Sequence, residues 1–126
     1  MDMLYYIYIG SNRVTIGHLS KIAGGMFMAV SSCNKAAKVI DGIRERYNTS
    51  ILYEESTPQK DSQDITFLHK RFPRVYIILI TEGLQKEHRK LYLQAGVNNT
   101  LSPMASEESL QQMTKFLRLR KEHKDR

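Results

Sequence analysis

Glu54 closes a short apolar run, Ile51-Leu52-Tyr53, and Pro58 stands four residues after it. A second run, Val75-Tyr76-Ile77-Ile78-Leu79-Ile80, leads into Thr81. Read as neighbouring parallel strands, these runs put an acid and a hydroxyl at their carboxyl ends, where open α/β sheets keep their binding sites. A carboxylate beside a hydroxyl is the start of a polar pocket, and other chemistry is sparse. His18, His69, His88 and His123 fall on separate predicted helices with no carboxylate or thiol at ligand spacing, so no metal site is expected. No nucleophile with an adjacent base can be assembled, and the chain is not expected to be an enzyme. Cys33 reads as an inert packing thiol, because no acid or His stands near it in sequence. Gly24-Gly25 is a turn, since a phosphate-binding loop needs more glycines and a Lys-Ser or Lys-Thr. Glu55 and Asp61 read as loop charges, either of which could assist a cation in an unforeseen geometry.

The 126 residues suffice for one domain with a core of its own. A single cysteine makes no internal disulfide, and with an otherwise ordinary composition a reducing compartment, the cytoplasm, is expected. No stretch reaches the roughly 20 apolar residues that span a bilayer, and the start lacks the charged entry of a signal peptide. The formal charge of +6 is unevenly placed: residues 115–126 hold six cations against two acids, leaving +4 there and +2 on the body. That is a solvated helix end or linker more than a nucleic-acid face, and no nucleic acid is expected. His69-Lys70-Arg71 with Arg74, and residues 86–90, form two smaller basic clusters that read as solvated faces.

Short apolar runs alternate with helical spacing throughout, the mark of an α/β chain. Strands are expected at residues 4–9, 26–30, 50–53 and 75–80, with a short fifth at Thr100-Leu101. Tyr5, Tyr6 and Tyr8 belong to the first, with neighbours on opposite faces, and are not a base-stacking platform. The first helix carries Leu19, Ile22 and Ala23, and the second follows a Ser31-Ser32 cap and reaches Tyr47. A polar loop over residues 54–62 precedes a short third helix with Ile65, Leu68 and Phe72, ended by Pro73. The fourth helix spans residues 85–95 before Gly96, and the fifth is capped by Ser106 and buries Leu110, Met113 and Leu117. Right-handed crossovers turn this alternation into a flavodoxin-like, doubly wound, five-stranded parallel sheet of order 2-1-3-4-5 between two helical layers.

With elements in that order, residues 4–117 resemble the CheY-like receiver domain of two-component signalling. Members of that family carry an acidic pair after strand one, an Asp ending strand three with a Pro four residues on, a Thr or Ser ending strand four, an Ala-Gly, and a Lys-Pro after strand five. Here Glu54 and Pro58, Thr81, and Ala95-Gly96 keep those intervals. At the acidic pair the chain has Gly10 and Ser11, which offer no charge to a Mg²⁺ ion. Glu54 stands one methylene farther out than an Asp, out of line for attack. Anchoring on the proline puts Ser102 at the lysine position, while an ungapped register puts Pro103 there, and neither is a cation. The resemblance thus implies a degenerate receiver, a pseudo-receiver without metal or cofactor, that is not expected to accept a phosphoryl group. Glu54 is then either a fixed imitation of the phosphorylated state or, the favoured alternative, a solvated carboxylate at a strand end. Thr81 is either the remnant of a switch or a side chain bonded to the local backbone.

The function this implies is regulatory, through a protein partner or another domain of the same polypeptide, with a homodimer left open. Receivers commonly use helix four, strand five and helix five, a surface that would here include Lys86, Arg89, Lys90, Leu101, Gln111 and Lys115. Residues 118–126 look like a linker to a downstream region, and basic residues of that kind often precede a membrane helix on its cytoplasmic side. The Tyr-Ile-Gly-Ser-Asn start and the Ile-Leu-Tyr-Glu-Glu strand also look similar to the amino-terminal pseudo-receiver of bacterial membrane sugar transferases that begin polysaccharide assembly. Any contact with a membrane would run through that downstream region. Two competing classes stay open: an atypical phosphoacceptor response regulator, and a nucleic-acid-binding regulator whose affinity would fall steeply with salt and depend on residues 115–126.

Overall fold

The computed structural model describes residues 3–44 and 46–124. Its elements alternate: β1 (Tyr5–Ile9), α1 (Arg13–Ile22), β2 (Met26–Val30), α2 (Cys33–Asp41), β3 (Thr49–Glu54), α3 (Pro58–Arg71), β4 (Tyr76–Ile80), α4 (Lys86–Ala95), β5 (Asn99–Leu101) and α5 (Glu107–Lys124). The five strands are all parallel in the order β2-β1-β3-β4-β5, the flavodoxin-like topology expected of the chain.

Strand alternation sorts the core into two layers. Ile7, Ile9, Ile51, Tyr53, Ile77 and Leu79 face α2, α3 and α4. Leu4, Tyr6, Tyr8, Leu52, Ile78 and Ile80 face α1 and α5. β4 is buried along its whole length, as a central parallel strand covered on both sides must be. The same alternation places Tyr8, Leu52 and Glu54 on one side of the sheet, because Tyr8 pairs with Leu52 and Glu54 is two residues on. Side-chain chemistry at the sheet's carboxyl edge follows from that parity.

Two helix boundaries differ from the sequence expectation. α2 stops at Asp41, where Gly42 caps it, and a separate 3₁₀ turn at Arg46–Asn48 feeds β3. Ile43, in the loop, and Tyr47, in this turn, continue the apolar spacing, so periodicity alone ran the helix on. α3 is not short: it begins at Pro58, with the proline in its first turn, and takes in five of the nine residues expected to be loop. Its first turn is polar in sequence, yet Asp61 there is fully buried. At the other end of the neighbouring α4, Gly96 has φ 127°, and a Cβ added to it would lie 2.7 Å from the His69 ring, which lets α3 and α4 pack closely.

Candidate functional site

Glu54 is half-buried at the end of β3, and its carboxylate is engaged by protein donors rather than by solvent alone. Tyr8 Oη donates to its Oε1 at 2.6 Å, the Asn12 backbone N–H donates to Oε1 at 2.9 Å, and the Ser11 N–H approaches Oε2 at 3.3 Å. The turn after β1 therefore wraps its amides around the carboxylate. Asn12 caps α1, accepting from the N–H groups of Val14 and Thr15, and this cap aims the amides of Ser11 and Asn12 back at β3. Gly10 has φ 155° and lies against Glu54, so the acid's longer arm fills the space where residue 10 would otherwise carry a side chain. Burial and the neighbouring carboxylate push the Tyr8 phenol far above the usual tyrosine range, and it stays a neutral donor.

Thr81 is the second anchor. Its hydroxyl donates to Glu55 Oε1 at 2.7 Å and accepts from the Gly83 N–H at 3.2 Å, while the Glu55 N–H donates to the Ile80 carbonyl at 3.0 Å. The local backbone contact expected of Thr81 is present, and Glu55, read from sequence as a loop charge, holds the other side of the hydroxyl.

Between these anchors lies an open cleft of about 440 Å³, whose lining includes Glu54, Glu55, Thr81, Glu82, Pro103 and Met104. Three of these are acids, and among the described lining residues there is no lysine or arginine. Pro103, rather than Ser102, borders Glu54; Ser102 lines a different hollow, next to Arg89 and Leu93. A phosphate entering the cleft would meet carboxylates with no cation to offset them. Among the described residues no three His, Cys, Asp or Glu side chains stand close enough to hold a metal ion.

On the other side of Glu54 a cleft of about 420 Å³ is lined by Gly10, Ser11, Cys33, Lys60 and Asp64 among others. Its lysine is 3.6 Å from Asp64. Burial first, then Asp64, pushes the Cys33 thiol up to about 11, which keeps it protonated and unreactive at neutral pH.

Sequence reasoning missed a fully buried carboxylate. Asp61, taken for a loop charge, accepts from Tyr92 Oη at 2.8 Å and from the Ser56 N–H at 2.7 Å, with Tyr53 Oη 3.3 Å away. Tyr53 Oη also lies 2.7 Å from Asp64, the shorter of its two contacts. The Tyr92 phenol and the Ser56 amide thus solvate a buried carboxylate, with the Tyr53 hydroxyl shared toward Asp64, and through Tyr92 they tie α4 to α3. Both phenols are held far above the tyrosine range, mainly by burial and then by these carboxylates. The available signal was Tyr92, the one tyrosine of α4.

The expected interaction face is assembled in part. Lys86, Arg89 and Lys90 are exposed on α4, as are Gln111 and Lys115 on α5. Leu101 does not belong to it: as the last residue of β5 it is 5 % exposed and packs with Ile80 and Leu110 in the core. The apolar residue that the surface does offer is Leu93, 57 % exposed, on the same face of α4 as Lys86, Arg89 and Lys90 by helical spacing. α5 continues as helix to Lys124, past the expected boundary at residue 117. The side chains of residues 118–124, and Asp125 and Arg126, expected to form a basic tail, lie outside the described ones. No helix among the described residues is long and apolar enough to cross a membrane.

No family model matches the chain, and no curated protein matches it either. Solved structures do share its fold. A response regulator from Thermotoga maritima superposes with a TM-score of 0.80 at 10% identity, covering 92% of this chain and 98% of that one. A CheY-like response regulator receiver domain protein from Methanospirillum hungatei gives 0.78 at 12%, covering 97% and 99%. A CheY-like protein, tadZ, from Pseudomonas aeruginosa gives 0.76 at 12%, covering 93% and 94%. The chain is thus similar over nearly its full length to receiver domains in fold.

Proposed function

We propose that this chain is a pseudo-receiver, a non-catalytic regulatory module that acts by binding a protein or another domain of its own polypeptide. The observation that carries the proposal is the state of Glu54. Its carboxylate accepts hydrogen bonds from Tyr8, Asn12 and Ser11, and the cleft beside it is lined by two further acids. Phosphoryl transfer relies on metal and cation to balance developing charge on oxygen, and this arrangement supplies hydrogen-bond donors to the acceptor and carboxylates to the donor. Glu54 acts as a structural strut between β1 and β3.

The working surface in this proposal is α4 with the start of α5: Lys86, Arg89, Lys90 and Leu93, joined by Gln111 and Lys115. The Tyr92–Asp61 bond supports a fixed surface, since it fastens α4 to α3 from inside. A fixed surface binds its partner without a population shift, and regulation then comes from the partner. The similarity of the start and of β3 to the pseudo-receivers of membrane sugar transferases makes such an enzyme our candidate for the larger protein.

The test is intact-mass spectrometry after incubation with Mg²⁺ and acetyl phosphate. The unmodified mass is expected; a stoichiometric phosphate lost on Glu54→Gln would replace this proposal with an atypical phosphoacceptor.

A further inference from the structure

β2 forms one edge of the sheet, with β1 as its sole neighbouring strand among the described residues. Its sequence, Met26-Phe27-Met28-Ala29-Val30, holds no charge and no proline, and its register with β1 runs unbroken, so it carries none of the lysines, prolines or bulges that keep sheet edges apart. Met26 and Met28 are 54 % and 47 % exposed, and Ala29 is exposed as well. Met28 pairs with Ile7 and so stands on the α2 side of the sheet, while Phe27 pairs with Tyr6 and packs half-buried on the α1 side. The Met26 N–H donates to the Leu4 carbonyl at 2.8 Å, and the Gly10 N–H donates to the Val30 carbonyl at 3.1 Å, which turns the backbone groups of Met26 and Val30 toward β1. Alternation then turns those of Met28 inward too, and leaves the N–H and C=O of Phe27 and Ala29 pointing away from the sheet. The other edge is better guarded: β5 has three residues, Asn99 and Thr100 are exposed and polar, and the Asn99 side chain accepts from the Thr100 N–H at 2.8 Å.

We infer that β2 pairs antiparallel with β2 of a second copy of this chain, about a two-fold axis through Met28. That register sets Phe27 of each copy opposite Ala29 of the other, and each such pair exchanges two N–H···O bonds, so all four outward groups of each edge are satisfied. Met28 then faces Met28 as the non-hydrogen-bonded pair, with Cα atoms about 4.5 Å apart and both side chains on the α2 side. The edge is thus its own complement: a foreign strand would have to bring a matching apolar row, which a second copy has by identity. A two-fold pairing also closes on itself, whereas β2 against the guarded β5 would run head to tail without closing. Five residues cover about 17 Å of edge, a small contact by the standard of stable dimers, so a dimer in exchange with monomer is expected. This edge is separate from the α4 face and goes beyond the proposed function.

The test is sedimentation equilibrium of the full chain from about 10 μM to about 1 mM, with amide hydrogen exchange followed by NMR at both ends of that range. A reversible monomer–dimer equilibrium is expected, undiminished by salt because no ion pair enters the pairing. The amides of Phe27 and Ala29 should exchange more slowly in the dimer, and that of Thr100 should not change. Met28→Lys sets two ammonium groups face to face across the axis and should weaken association about tenfold or more, while Thr100→Lys, on the other edge, should leave it as it is. Both variants alter exposed side chains, and their spectra report whether the fold is intact. A chain still monomeric at about 1 mM, a dimer in which the Phe27 and Ala29 amides keep their monomer rates, dissociation by salt, undiminished association of Met28→Lys, or growth past the dimer that Thr100→Lys stops would each overturn the inference.

Discussion

A Cβ placed on Gly10 would sit 2.6 Å from both Cβ and Cδ of Glu54, so the two residues share one space across the β1–β3 pair. Gly10→Ala should therefore be destabilising by about 1–3 kcal/mol, the range for overpacking, with strain from its positive φ added. Glu54→Ala alone should cost about 1–3 kcal/mol through the donors it abandons. The double variant should be more stable than the sum predicts, by roughly 1 kcal/mol, since removing the glutamate opens the room that the added methyl group needs. Urea unfolding of the four proteins measures this coupling, and strict additivity would show that the contact is unimportant.

Asp61 holds together groups from three segments, and its loss should be felt widely. Asp61→Ala leaves the Tyr92 phenol and the Ser56 N–H without their buried acceptor and should destabilise by about 3 kcal/mol or more. Asp61→Asn retains one acceptor oxygen and should be milder. Thermal unfolding would rank the variants; equal melting temperatures for Asp61→Ala and the parent would contradict the geometry.

How much of this was open to sequence reasoning depended on the scale of the signal. Strand order followed from apolar runs such as residues 75–80, whose lack of a polar face requires cover on both sides. Helix ends were less legible, because Ile43 and Tyr47 keep helical spacing while belonging to a loop and a 3₁₀ turn. Glu54 and Thr81 were correctly placed at the strand ends. Their partners were not, since nothing in a linear pattern pairs Tyr8 with Glu54 or Tyr92 with Asp61; those meetings depend on strand parity and helix docking. Leu101 was assigned to the surface because the resemblance put strand five there, and a strand this short gives too few positions to show which side faces inward.

The buried phenols make alkaline pH a probe of the polar core. Tyrosines in the unfolded chain ionise near pH 10, whereas Tyr8, Tyr53 and Tyr92 are held well above that value in the fold. The unfolded state therefore loses protons first, so stability is intact below about pH 10 and falls above it, by about 1.4 kcal/mol per pH unit for each such phenol. Stability measured against pH should drop steeply above 10, and Tyr92→Phe should flatten the drop by one proton. A chain equally stable at neutral pH and well above pH 10 would contradict the burial of these hydroxyls.

Exposure separates the residues of the α4–α5 surface from those beneath it. Lys86→Glu with Arg89→Glu should alter stability by no more than about 0.5 kcal/mol, as changes on an open helix face do. Leu101→Ala, by contrast, should cost about 2–5 kcal/mol, the range for emptying a core position. Chemical denaturation distinguishes them, and a neutral Leu101→Ala would return that residue to the surface.

The most direct measurement of whether the Glu54 pocket has given up phosphate chemistry is an amide NMR titration with Mg²⁺ and beryllofluoride, a mimic of the bound phosphoryl group. The amides of Gly10, Ser11, Asn12 and Thr81 should hold their positions through millimolar additions, because the Glu54 carboxylate is already engaged by Tyr8, Ser11 and Asn12 and the cleft is lined with acids. Saturable, Mg²⁺-dependent shifts at those four amides, abolished in Glu54→Gln, would contradict the account.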